Sequence, residues 1–291
     1  MPTPRRVKRT RDRRRPPVRP EAPPPQTLPG PCVRSAPVPF TFSHPAAVLP
    51  LLRHGRGRGR MIGSALVFGA MAPDTPYFAG AFAWGDLAHR WWAVPTLDVA
   101  ITLALAAVWQ LVLRAPLIGL LPVRWAGAAE RLTGPSDRRI RWSRAPWFAL
   151  SAALGAATHV FWDAFTHPGR LGTRVFPVLT TARILGEPLY AALQYGTSAI
   201  ALVLLGWHAV RELRRAAADG GRPVRVATAA VRRRVLWLTL AAAVLGAAYR
   251  FAGWGQPGMP LLSLIPVVAF GAVAGAGGAL VLYALAAPRR G

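Results

Sequence analysis

Three ionisable residues recur at intervals of four near the end of a long apolar run: His159, Asp163 and His167, in Thr158-His159-Val160-Phe161-Trp162-Asp163-Ala164-Phe165-Thr166-His167. A helix advances about 100° per residue, so each step of four drifts only about 40° and the three side chains share one face. Imidazole nitrogens beside a carboxylate are donors for a metal ion or stations for a proton. Ionisable groups inside apolar segments are costly and usually serve binding, proton transfer or catalysis, so this face is the first functional candidate. The chemistry is coherent for zinc, manganese or iron, and an ion with an open coordination position lowers the pKa of water from about 16 towards about 7. Such a site could hydrolyse an ester or a phosphoester. The bland alternative is an i,i+4 His159–Asp163 pair that cross-links helices without a metal.

The elements that must carry these residues are read from composition. The chain has 291 residues, 53% of them hydrophobic, with several apolar runs near twenty residues long. A spanning helix needs about 20 such residues, so the expected fold is all-α, a polytopic membrane bundle of about six segments. The later runs are Val94 to Leu113, Ala145 to Phe165, Tyr190 to Val210, Val235 to Trp254 and Leu261 to Ala287. Gly271 and Gly275 form a Gly-x-x-x-Gly pair that permits close helix approach. The domain plan is an Arg/Pro-rich tail, residues 1–38, expected to be disordered, then a membrane domain, 39–291, with additional helices at 235–254 and 261–287.

Ser43-His44-Pro45 reads as a helix start, with Ser43 as cap and a short helix from Pro45 to Leu52. A basic Gly/Arg loop follows, then the run Met61 to Ala72, ending at Ala72-Pro73-Asp74. If these two pieces form a hairpin, His44 and Asp74 lie at one end. If Met61 to Phe82 instead crosses once, the basic tail is cytoplasmic but His44 starts on the other side of the membrane from His159. Both arrangements remain open at this level.

The formal charge of +25 is almost wholly arginine, with Lys8 the only lysine. Its distribution between apolar runs fits membrane orientation and not a nucleic-acid groove interleaved with aromatics, so no nucleic-acid partner is expected. Arg114 to Arg144 holds seven arginines, Arg211 to Arg234 holds eight, and Arg289-Arg290 follow the last run; the positive-inside rule puts all three in the cytoplasm. Cys32 is the only cysteine, which excludes an internal disulfide framework and any multi-cysteine metal site. There is no Gly-x-Ser-x-Gly elbow and no phosphate loop. His54 and His208 read as interfacial, and Trp84, Trp91 and Trp92 as membrane anchors that could also touch a lipid. Asp98 is either a proton relay or the partner of an arginine on another helix.

Four stretches carry a resemblance: Pro39-Phe40-Thr41-Phe42-Ser43-His44-Pro45-Ala46-Ala47, Gly69-Ala70-Met71-Ala72-Pro73-Asp74-Thr75-Pro76-Tyr77-Phe78, Gly155 to Gly169, and Leu193-Gln194-Tyr195-Gly196-Thr197-Ser198. Together they resemble a bacterial multipass membrane family classified as domain of unknown function 4184, over roughly 39–210. More distantly, the order of His44, Asp74, His89, His159 and Asp163 is similar to that of membrane-bound predicted metal-dependent hydrolases. Arg90 departs from that pattern, where a Ser would often follow His89. This resemblance implies His44, Asp74, His159 and Asp163 as ligands of a divalent metal, zinc being one choice. It also implies His89 and Asp163 in catalysis, with His89 a further ligand or proton carrier. His167 follows the first family only and is assigned to a second shell or a substrate contact. The implied protein is a hydrolase of a lipid or membrane-proximal ester in the bacterial plasma membrane. The competing classes are a proton-linked small-solute transporter and a structural scaffold.

Overall fold

The computed structural model describes residues 41–54, 56–134, 142–220, 224–255 and 261–287. The expected tail, residues 1–38, lies outside them. Almost every described residue is helical or in a turn between helices. A 3-10 helix, Thr41–Leu51, leads into a tight hairpin of β1 (Leu52–Arg53) and β2 (Arg56–Gly57). The chain then returns through α1 (Gly63–Gly69), a 3-10 turn at Ala72–Asp74, α2 (Thr75–Phe78) and α3 (Phe82–Ala88). Next come α4 (Leu97–Val108), a π-helical stretch at Trp109–Leu113, α5 (Arg114–Gly119) and α6 (Val123–Thr133). α7 (Ala145–Thr166) is followed by α8 (Leu171–Val175), α9 (Val178–Thr181) and a second small hairpin, β3 (Arg183–Ile184) with β4 (Glu187–Pro188). Three long helices close the fold: α10 (Leu189–Ala218), α11 (Ala229–Trp254) and α12 (Leu261–Ala286).

Among the described residues, four helical stretches are long and apolar enough to cross a membrane: Leu97–Gly119, Leu189–Ala218, Ala229–Trp254 and Leu264–Ala286. The protein is therefore an integral membrane protein by the length and composition of its helices. α7 has 22 residues, long enough to span, and carries His159 and Asp163 among its buried residues.

The first 35 described residues settle the open question about the N-terminal region. The chain descends along α10 and comes back: Ser43 donates to Ser198 near the start of α10 at 3.2 Å, whereas His54 meets Glu212 near its end at 3.7 Å. α1 then returns beside α7, so His44 and Asp74 lie at the same end of the molecule. The descending arm is not the α-helix capped by Ser43 that Ser43-His44-Pro45 suggested. The arm winds as a 3-10 helix with Pro45 and Pro50 inside it, and Ser43 lies within the winding and not at its cap.

Small residues decide how closely the elements approach. A Cβ added at Gly155 in α7 would run into the Leu66 carbonyl of α1, and one at Gly69 into the Ala152 carbonyl of α7. In a bilayer the helices gain little from excluding water, so such backbone proximity is a main source of association. α11 and α12 use the same device: Cβ atoms at Gly246, Gly271 and Gly275 would strike the carbonyls of Gly271, Gly246 and Ala242. The Gly-x-x-x-Gly pair is thus a packing element.

Polar contacts mark two distinct ends. At one, Arg131 of α6 donates to the Asp219 and Gly220 carbonyls just past α10 at 2.7 and 2.9 Å, and Ala227 before α11 bonds the Gly119 carbonyl at 2.8 Å. Arg114 is buried there, paired with Glu130 at 2.8 Å and bonded to Thr133 at 3.0 Å. At the other end Arg250, late in α11, donates to the Tyr77 carbonyl at 2.9 Å. His159, Asp163, Asp74 and His89 belong to this second end.

Candidate metal centre

The candidate side chains are delivered by several separate pieces of the chain. His44 comes from the 3-10 arm, Asp74 from the turn after α1, His89 from the residue that ends α3, and His159 and Asp163 from consecutive turns of α7. His167 follows the last turn of α7, where its N–H still bonds the Asp163 carbonyl at 3.2 Å. All six are buried, from 0% exposed for Asp74 and His159 to 8% for His44. The close α1–α7 packing fixes the centre directly, because it puts the Ala70 carbonyl 2.7 Å from His159 Nδ1.

Four of them converge. One donor atom from each of Asp74, His89, His159 and Asp163 lies within 4.8 Å of the others. His89 Nε2 is 3.3 Å from Asp74 Oδ1 and 3.2 Å from Asp163 Oδ2; His159 Nε2 is 3.4 Å and 3.5 Å from the same two atoms. Four donors placed about 2.0–2.1 Å from a common tetrahedral centre have edges of roughly 3.3–3.4 Å. The four His–Asp separations match such edges, and the remaining two pairs of donor atoms lie within 4.8 Å of each other.

The hydrogen bonds behind the four atoms decide which way the electron pairs point. His89 Nδ1–H donates to the Gly85 carbonyl at 2.8 Å, and His159 Nδ1–H to the Ala70 carbonyl. A carbonyl only accepts, so both rings carry a proton on Nδ1 and turn Nε2 towards the carboxylates. Thr41 Oγ1–H donates to Asp74 Oδ2 at 2.7 Å, which turns Oδ1 inward. Two imidazole nitrogens and two carboxylate oxygens then face one another in a buried space. A positive charge must sit among them, either on extra ring protons or as a cation. His89 Nε2 meets Asp163 Oδ2 in hydrogen-bond geometry at 3.2 Å, but His159 Nε2 and Asp74 Oδ1, which face each other at 3.4 Å, are buried without a hydrogen-bond partner. The arrangement therefore fits a divalent cation, and the carbonyl and hydroxyl partners are the outer shell that metal-binding histidines and carboxylates use.

Two further imidazoles flank the other oxygen of Asp163. His44 Nε2 is 3.6 Å and His167 Nδ1 3.4 Å from Oδ1. The His44 ring stacks on that of His159 with centroids 3.7 Å apart. Burial, then the neighbouring His159, pushes the His44 imidazole down to about 3, so it is neutral at pH 7. His167 Nε2 lies 3.2 Å from the Gln194 side-chain amide of α10. Relative to the sequence expectation, His89 joins the innermost four, and His44 stands one oxygen away from them.

Sequence reasoning gave Thr41 and Gln194 no role, although both lie in the motif stretches. A hydroxyl three residues before His44 and an amide on a separate helix carry no local signature of an outer shell. Asp98, in the first turn of α4, is fully buried with no hydrogen-bond partner for either carboxylate oxygen. His54 is exposed and paired with Glu212, far from the centre. Tyr77 donates to Asp86 at 3.0 Å, and burial followed by that carboxylate raises its phenol above the usual range. Trp84, Trp91 and Trp92 are exposed around the end that holds the centre, 49–59% accessible, as membrane anchors would be.

A groove of about 250 Å³ reaches His44 between the 3-10 arm, α7 and α10. Ala46, Ala47, Ile200, Ala201 and Leu204 make it apolar, and Ser43 and Ser198 add hydroxyls beside His44.

The fold and the centre define a class: a helical integral membrane protein with a buried His/Asp cluster competent for a metal. The chain belongs to the family described as domain of unknown function (DUF4184), which it matches over residues 38–285. That match runs past α10 and includes α11 and most of α12. No curated protein and no solved structure matches it.

Proposed function

We propose that this protein is a metal-dependent hydrolase that acts within the membrane on an ester or phosphoester of a lipid. The observation that carries the reading is the convergence of Asp74 Oδ1, His89 Nε2, His159 Nε2 and Asp163 Oδ2 in a buried space, with their electron pairs aimed inward by Thr41, Gly85 and Ala70. These four residues would hold the ion, and the mixed nitrogen and oxygen donors suit zinc, manganese or iron. A bound divalent ion would supply Lewis-acid polarisation of the scissile group and acidification of a water.

The chain's own residues supply the rest. The apolar walls of the groove would orient a hydrocarbon chain, and Ser43 and Ser198 would meet its polar head beside His44. The buried surroundings strengthen every electrostatic contact made there, since the effective dielectric is far below that of water. Helix composition and the exposed tryptophans support a membrane location, and the basic end favours the cytoplasm with the centre near the opposite face; a bacterial plasma membrane rests on the family resemblance alone.

The test is the metal content of detergent-purified protein by inductively coupled plasma mass spectrometry, with His159→Ala and Asp163→Ala in parallel. Near-stoichiometric metal in the wild type and its loss in both variants is expected, followed by cleavage in a screen of lipid esters and phosphoesters. Wild type that binds no metal after repletion with zinc, manganese and iron overturns the reading in favour of a non-enzymatic role.

A further inference from the structure

The groove beside His44 has a direction. Its hydroxyls, Ser43 and Ser198, lie 3.2 Å apart at the end of the bundle that holds the centre. Leu204 lines it further along α10, six residues or about 9 Å towards the basic end. Hydroxyls near the membrane face and apolar walls towards the midplane follow the order in which a lipid arranges its own head and tail. The side is open to the bilayer: Ile200 and Leu204 are 63% and 47% exposed on a helix long and apolar enough to span. A hydrocarbon chain therefore enters laterally, without leaving the membrane.

Charge decides which head fits. The described residues that line the groove include no Arg, Lys, Asp or Glu, and the His44 ring is neutral. The centre adds no excess of positive charge, because the carboxylates of Asp74 and Asp163 balance a divalent cation and its other two donors are imidazoles. A phosphoester carries negative charge and is typically recognised by arginine, lysine or extra cations. Buried here it would have no counter-charge, which is the costly case. A carboxylic ester carries no charge, and its oxygens are acceptors that hydroxyls can meet.

We infer that the groove selects an uncharged long-chain carboxylic ester, so that of the two substrate classes above the protein takes the carboxylic ester and rejects the phosphoester. This rests on the hydrolase reading and narrows it. In the reaction, water oxygen bonds to the carbonyl carbon, the C–O bond to the alcohol breaks, and the departing oxygen takes a proton from that water, giving a fatty acid and an alcohol. Ala47 and Ala201 keep the groove wide enough for the chain, one from the 3-10 arm and one from α10.

The experiment compares two compounds with the same hydrocarbon, radiolabelled 1-oleoylglycerol and oleyl phosphate. Binding is measured on metal-free and on zinc-loaded protein in detergent, and cleavage on the zinc-loaded protein as released oleate or inorganic phosphate. Wild type should bind 1-oleoylglycerol roughly tenfold or more tightly than oleyl phosphate in both states, and with zinc should release oleate and no phosphate. Ala201→Phe fills the groove and should weaken 1-oleoylglycerol binding roughly tenfold with zinc content unchanged. If it fails to fold, Ala47→Phe, at an exposed position of the arm, carries the comparison. Ala47→Arg supplies the missing counter-charge and should tighten oleyl phosphate binding. Oleyl phosphate bound as tightly by wild type, or cleaved to phosphate, overturns the inference and leaves the hydrolase reading intact. Failure of the zinc-loaded protein to bind or cleave 1-oleoylglycerol overturns it too, as does binding that neither Phe substitution weakens. A wild type that takes up no zinc yet keeps the binding preference overturns the reading beneath and leaves the groove's selectivity standing.

Discussion

At the scale of single residues, the centre is held by groups that never touch an ion. Thr41 fixes one oxygen of Asp74, and backbone carbonyls fix the tautomers of His89 and His159. Outer-shell partners of this kind typically change metal affinity 10–100-fold when removed. Thr41→Val keeps the shape and deletes the hydroxyl, so it should bind zinc about 10–100-fold more weakly in competition with a chromogenic chelator, with little change in melting temperature. An unchanged affinity would mean that Asp74 is oriented without Thr41. Loss of a central donor is more severe: Asp74→Ala should abolish binding at the four-atom shell, read as metal-to-protein ratio after dialysis. The i,i+4 periodicity of His159, Asp163 and His167 was readable because a helix turns such spacing into a shared face. The outer shell was not, because Thr41 and Gln194 reach the centre from elements that only folding brings near. Nor does spacing distinguish His44 from His89 as the nearer partner, since that choice rests on which Asp163 oxygen each ring meets.

At the scale of elements, the approach of α1 to α7 and of α11 to α12 uses the same glycine contact for different ends. Gly155 lets α1 come close enough for the Ala70 carbonyl to hold His159; Gly271 joins two helices away from the centre's hydrogen bonds. Overpacking such contacts costs about 1–3 kcal/mol. Gly155→Leu should lower the melting temperature in detergent and also release metal, whereas Gly271→Leu should lower the melting temperature and keep it. If both variants kept their metal, the α1–α7 contact would not be what positions His159. The later long helices were legible because apolar runs near twenty residues have few other uses. The N-terminal hairpin was legible only as two alternatives, since length and charge fit both.

At the scale of the whole molecule, the basic end and the metal centre lie at opposite ends of the helices. The positive-inside rule then predicts that single cysteines placed in a Cys32→Ser background label from opposite sides. Asp219→Cys, beside Arg131, should react with an impermeant maleimide only after the membrane is opened; Leu185→Cys, at the fully exposed tip of the second hairpin, should react in intact cells. The reverse pattern would place the centre at the cytoplasmic face. The order in which the donors occur along the chain has a consequence for biosynthesis. His159 follows the carbonyl that orients it by 89 residues, and a ribosome adding about 5–20 residues per second needs roughly 5–20 s to cover that distance. During that interval Asp74 and His89 have left the ribosome with no partner from α7, so the nascent chain has no complete shell to load. The ion must be captured after translation has passed Asp163, from whichever pool meets the membrane face where the centre lies.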